Sequence, residues 1–146
     1  MRARTTATLV LLAPLVLLGA CADDGASSDG PGPAACVAAG DCPRLEPTRF
    51  AALAAQEGVV VLDVRTPAEF AEGHLEGAAN LDVSAPDFAE RVGDLDPDAT
   101  YAVYCRTGSR SQAAATVMRE AGIAAVADLD GGVVAWADAG LPLATD

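Results

Sequence analysis

The sequence predicts an α/β protein, a mainly parallel sheet with helices on both faces, in a single domain over residues 44–146. Three observations predict it. Residues 59–62 (VVVL) and 101–104 (YAVY) are short apolar runs of β-branched and aromatic residues, as in strands covered on both faces. Segments with apolar residues three and four positions apart lie around these runs. Gly and Pro mark the boundaries. Strands alternating with helices in this way give a parallel sheet.

The elements follow in order. Pro47 opens a first helix with Phe50, Leu53 and Ala54 on one face, and Gly58 ends it. Residues 59–62 form the first strand. Residues 67–72 read as a short helix with Pro67 at its start, 79–83 as a short strand and 87–95 as another helix. The strand over 101–104 ends at Cys105. Residues 111–121 form a helix with Ala114, Val117, Met118 and Ala121 at the i, i+3, i+4, i+7 spacing, closed by Gly122. Residues 124–129 give a further strand. Residues 133–139 give a last helix, closed by Gly140 and Pro142, with Trp136 in the core.

Composition narrows the function classes. A chain of 146 residues holds one ordinary domain, and 51 % hydrophobic residues supply its core. Twenty-one acidic residues face nine basic ones, all Arg, for a formal charge of −12. So acidic a chain is a poor match for a phosphate backbone, which excludes a general nucleic-acid binder. Four Cys are too few for a disulfide-stapled miniprotein.

The N-terminus reads as an address. Arg2 and Arg4 precede a ten-residue apolar run (LVLLAPLVLL), then small residues; this is a secretory signal peptide over residues 1–20, too short to span a membrane. Leu18-Gly19-Ala20-Cys21 resembles the bacterial lipobox. That resemblance implies cleavage before Cys21, lipidation of Cys21, and a protein anchored at the extracytoplasmic face of the cell membrane, with a secreted soluble form as the alternative. Residues 21–43 are rich in Gly, Ser, Asp, Pro and Ala and read as a flexible tether. Cys36 and Cys42 near its end suit a local disulfide in an oxidising compartment. Their spacing does not suit a zinc knuckle.

The chemistry concentrates after the strand over 101–104, where ligands of parallel sheets bind. CRTGSRS begins with Cys105 and continues through Arg106, Thr107, Gly108, Ser109, Arg110 and Ser111. Gly108 permits an unusual backbone angle, and Ser109 or Ser111 can cap the helix that follows. Inward N–H groups and the helix N-terminus stabilise a thiolate. Arg106 and Arg110 add positive charge in a negative chain. Such a site suits a nucleophilic sulfur and an anionic substrate.

CRTGSR resembles the active-site loop of the rhodanese-like sulfurtransferases. Three further segments resemble that family in order and spacing: LDVRTPAEF (62–70), GHLEGAANL (73–81) and LDGGVVAWADAGLP (129–142). The resemblance implies a three-layer sandwich with Cys105 as nucleophile and sulfur carrier. Cys105 would take a sulfane sulfur from a small anionic donor, thiosulfate or polysulfide. It would then pass the sulfur from its persulfide to cyanide or a thiol. The amides of residues 106–110 would cradle the persulfide, and Arg106 and Arg110 would bind the donor. No metal or organic cofactor is implied.

Other motif residues read as supporting. Asp63 and Arg65 either pair to brace the loop or touch substrate. His74, the one His, reads as a turn-stabilising hydrogen bond rather than a base, since a depressed thiol pKa removes the need for one. Glu69 reads as a surface or helix-start acid. Gly131-Gly132 turns the last helix in beside the loop.

Three other readings compete. Protein tyrosine phosphatases and related cell-cycle phosphatases place Arg six positions after the loop Cys. That position is Ser111 here, which argues against phosphatase chemistry and less strongly against arsenate reduction. A non-enzymatic persulfide carrier serving a protein partner would show the same loop. Cys36 or Cys42 could also serve Cys105 as a resolving thiol.

Overall fold

The computed structural model describes residues 42–145. The signal peptide, Cys21 and Cys36 lie outside the described residues, as does most of the tether. Five parallel strands form one sheet in the order β1-β5-β4-β2-β3. They are β1 (Arg44–Leu45), β2 (Val59–Asp63), β3 (Ala79–Asn80), β4 (Thr100–Tyr104) and β5 (Val126–Leu129). The helices are α1 (Pro47–Ala54), α2 (Pro67–Ala71), α3 (Phe88–Gly93), α4 (Ser109–Glu120) and α5 (Gly132–Asp138). No helix among the described residues is long and apolar enough to cross a membrane.

The strand alternation divides the core into two layers. Tyr101 and Val103 of β4 join Leu62 of β2, Phe88 and Val92 of α3, and Ala114, Ala115 and Met118 of α4. Ala102 and Tyr104 point the other way, onto Phe50 and Leu53 of α1 and Val133 and Trp136 of α5. Helices therefore cover both faces, as expected. Cys105 continues the Tyr101–Val103 side and enters the first layer. On the second, Phe50 meets Tyr104 and Trp136 edge to face. The Trp136 indole N–H donates to the Pro142 carbonyl (2.8 Å).

Several boundaries differ from expectation. β1 lies where the sequence gives only the domain start. Two residues pairing with the edge of β5 are too short for a periodic signal. β3 stops at Asn80 rather than 83, although backbone bonds from Leu81 N–H to the Asp63 carbonyl and from Val83 N–H to the Val64 carbonyl carry the contact on. The helix after Cys105 begins at Ser109 with Gly108 at its N-cap, so neither Ser109 nor Ser111 caps it. Gly108 sits at φ +97°, leaving the cap without a side-chain acceptor. α4 ends at Glu120, so Ala121 falls at its C-cap and is exposed, while Ala115 joins Ala114 and Met118 in the core.

Candidate active site

The carboxyl ends of β2, β4 and β5 converge, and each delivers part of the site. β4 ends at Tyr104, and Cys105 follows with 1 % of its surface exposed. The chain then bends through Arg106, Thr107 and Gly108 into α4. The Gly108 N–H donates to Cys105 Sγ at 3.1 Å. The Ser111 hydroxyl lies 3.5 Å from Sγ and 3.1 Å from the Gly108 carbonyl, and its single proton serves one of them at a time. Burial pushes the Cys105 thiol up. The Ser111 hydroxyl and the N–H groups of Ser111, Thr107 and Gly108 outweigh it, and the thiol lies below its ordinary value. Cys105 is a free thiol.

Ser111 was legible in sequence only as a cap candidate; the fold makes it the side-chain donor to the sulfur. Ser111→Ala is expected to move the pH midpoint of Cys105 alkylation upward. Loss of one hydrogen bond to a charged group should slow alkylation near neutral pH by roughly tenfold. Iodoacetamide kinetics across pH check this, and an unmoved midpoint would remove Ser111 from the sulfur's environment.

The loop is held from behind by α5. The Val133 N–H donates to the Cys105 carbonyl (2.9 Å) and the Val134 N–H to the Arg106 carbonyl (3.2 Å). This approach needs Gly132. At φ +61° a Cβ there would stand 2.5 Å from the Cys105 carbonyl oxygen and from the Arg106 carbonyl carbon and oxygen. The Gly131-Gly132 turn thus seats α5 against the loop.

The two loop arginines separate. Arg106 is exposed, and among the described residues it has no ion-pair partner. Arg110 is engaged by Glu69 through two bonds of 2.8 and 2.7 Å. The Arg110 guanidinium holds the Glu69 carboxyl down at about 2. Glu69 is also the helix-start acid expected of it: Thr66 and Glu69 form a capping box on α2. The Arg110 partner, 41 residues away, left no local signal. Thr107 and Ser109 are exposed on the loop's outer side.

Asp63 and Arg65 are buried as a pair. Arg65 Nη2 lies 2.6 Å from Asp63 Oδ2 and donates to the Gly73 carbonyl (2.7 Å). Its guanidinium lies 5.6 Å from the centre of the Tyr104 ring. The Asn80 amide donates to the carbonyls of Asp63 and Arg65, fixing the chain after β2. The ion pair itself is thus observed, tied to the Gly73 carbonyl, and Arg65 also lines the groove beside the loop. His74 is buried, stacks on Phe70 at 3.8 Å, and places Nδ1 3.1 Å from the Phe70 carbonyl, the turn role expected of it.

One buried acid was not anticipated. Asp128 on β5 is wholly buried; among the described residues neither carboxylate oxygen has a partner in full hydrogen-bond geometry, although Ser111 and Arg44 stand beside it. Arg44 Nε stands 3.3 Å from it, an ionic contact without hydrogen-bond geometry. Burial pushes this carboxyl up. Cys42 is half-buried against the first core layer, and its pairing with Cys36 lies outside the described residues. Among the described residues, no three His, Cys, Asp or Glu side chains gather as metal ligands.

Residues 46–139 match the family described as the rhodanese-like domain. The chain belongs to that family. It is 37 % identical over 91 residues to a sulfurtransferase of Allochromatium vinosum, covering 62 % of this chain and 83 % of that one. It is 39 % identical over 94 residues to the thiosulfate sulfurtransferase GlpE of Pseudomonas putida, covering 64 % of this chain and 83 % of that one. Among solved structures, a rhodanese-related protein of Thermoplasma volcanium superposes with a TM-score of 0.64 at 28 % identity. That match covers 71 % of this chain and 99 % of the other. This rhodanese-like domain thus has sulfurtransferases among its relatives, and its fold matches a solved member.

Proposed function

We propose that the protein is a sulfurtransferase that works through a persulfide on Cys105. The observation that carries this reading is the sulfur's setting: a free thiol, held below its ordinary pKa by loop amides and Ser111 at the start of α4. The Cys105 thiolate attacks the outer sulfur of thiosulfate or a polysulfide. The donor's S–S bond breaks, and sulfite, or the shortened polysulfide, leaves with the electron pair. The persulfide's negative outer sulfur stays beside the loop amides, which were already aligned for the thiolate. A thiolate or cyanide then attacks that outer sulfur, and Cys105 leaves as thiolate. No electron is gained or lost from outside.

Arg106 is the cation open to the donor. Arg110 acts through Glu69, tying α4 to α2 and so setting the loop's frame. Asp63 and Arg65 brace the floor. The chain is an extracytoplasmic lipoprotein: residues 1–20 direct export, Cys21 carries the lipid, and residues 21–43 tether the domain. The N-terminal sequence pattern supports that placement.

Thiosulfate:cyanide sulfurtransferase activity of the protein, measured with reductant present, tests the reading. Activity that Cys105→Ser abolishes is the expected result. A folded wild-type protein inactive with both thiosulfate and polysulfide would overturn it.

A further inference from the structure

Asp128 is a buried acid to which the sulfur-transfer steps above give no role. It faces the sulfur's side of the sheet. Val126 of β5 packs in the first core layer and Ala127 in the second, so Asp128 returns to the first, where Val103 and Cys105 lie. Val103 stands opposite Asp128 in the β4–β5 register. On α4, Ala114, Ala115 and Met118 cover this layer, and Ser111, three residues before Ala114, shares their face. Ser111 is wholly buried. Its hydroxyl lies 3.5 Å from Cys105 Sγ and also stands beside the Asp128 carboxyl.

The other charges around Asp128 compensate it only in part. Arg44 of β1 places Nε 3.3 Å from Oδ2, but the same guanidinium bonds Asp130 at 2.8 Å, and its side chain is 44 % exposed. Asp130, just past β5, adds a second negative charge. Arg110 of α4 is taken by Glu69. Burial pushes the Asp128 carboxyl up, and the Ser111 hydroxyl and Arg44 draw it back. That same hydroxyl draws the Cys105 thiol down. A hydroxyl has one proton to donate, so Ser111 serves one of these two acids at a time. The Gly108 carbonyl at 3.1 Å is uncharged and the weaker acceptor.

We propose that Asp128 is a positioning residue that governs the reactivity of Cys105 through Ser111: carboxylate and thiolate compete for the one Ser111 proton, so ionising either group disfavours ionising the other. The assignment rests on the sulfurtransferase reading for its use in turnover. In the free enzyme Ser111 donates to the Cys105 thiolate. Once the persulfide's outer sulfur carries the charge, Sγ is uncharged and a poor acceptor, and the hydroxyl turns to Asp128. Discharge of the persulfide returns the charge to Sγ and the hydroxyl with it. The proton stays on Ser111 throughout and changes only its acceptor.

Groups coupled in this way titrate as a pair, and the one that ionises second carries the shift. Two titrations therefore test the assignment. The pH dependence of Cys105 alkylation by iodoacetamide is compared between wild type and the isosteric Asp128→Asn. The Asp128 carboxyl carbon is followed by NMR against pH in wild type and Cys105→Ala. If Asp128 ionises first, Asp128→Asn lowers the alkylation midpoint and speeds the reaction below it roughly three- to tenfold, the size of a hydrogen bond to a charged group. If Cys105 ionises first, Cys105→Ala raises the acid constant of Asp128 by a similar factor. In a Ser111→Ala background the shift should fall by at least half. A shift that survives Ser111→Ala undiminished would reduce Asp128 to a charge acting through space and overturn the assignment. Two unmoved titrations would overturn it as well, since a merely structural Asp128 would change stability and leave both in place. Neither titration needs sulfur to be transferred. A persulfide formed without this coupling would therefore overturn the assignment alone, and coupling in a protein that takes up no sulfur would overturn the sulfurtransferase reading alone.

Discussion

Asp63→Ala is expected to cost about 3–5 kcal/mol of folding stability, the signature of a buried ion pair broken on one side. Arg65 would keep its place with a side chain only 6 % exposed, and its charge would lose both carboxylate oxygens. The Gly73 carbonyl would remain as a hydrogen-bond acceptor, which cannot neutralise the guanidinium. The loss would spread to function. Arg65 packs against Tyr104, the residue before Cys105, and Asn80 ties both Asp63 and Arg65 carbonyls to the end of β3. Urea unfolding measures the change. A loss within about 1 kcal/mol would place the pair with ordinary surface bridges and contradict its bracing role. Replacing both partners with apolar residues of similar volume should recover much of the loss, since burying the pair is itself costly.

Gly132→Ala is expected to damage activity more than its single methyl suggests. The added Cβ would meet the Cys105 and Arg106 carbonyl groups at 2.5 Å, and both are backbone. Neither can move without lengthening the bonds from Val133 and Val134 that seat α5 on the loop. The positive φ adds its own cost of about 1–2 kcal/mol for an L residue. Overpacking adds about 1–3 kcal/mol. A loop displaced by around an ångström also misplaces the sulfur, and about a hundredfold loss of turnover is expected. Gly140→Ala is the control. It has φ +73°, but a Cβ there has nothing within 4 Å. The difference between the two variants isolates the contact with the loop. Equal effects on stability and turnover would remove Gly132 from the loop's support.

The parts legible in the sequence were those written in local pattern. The apolar runs at β2 and β4, the punctuation by Gly122 and Gly140, and the strand–loop–helix around Cys105 each depend on residues a few positions apart. Asp63 and Arg65 are likewise neighbours, so their pairing could be raised from sequence, although only the structure buries it. What escaped is what tertiary contact decides. β1 is two residues long and exists because β5 offers an edge. Glu69 meets Arg110 only when α2 and α4 are brought together, and Ser111 turns to the sulfur because Gly108 has taken the N-cap. Asp128 sits in a run that reads as apolar strand, so nothing local marks a buried carboxylate there.

Mass spectrometry of the intact protein after exposure to thiosulfate, followed by peptide mapping, tests the central claim most directly. The expected result is the gain of one sulfur atom, located on Cys105, absent from Cys105→Ser and discharged by cyanide. A folded wild-type protein that gains no sulfur from thiosulfate or polysulfide, or carries it on another cysteine, would contradict Cys105 persulfide chemistry.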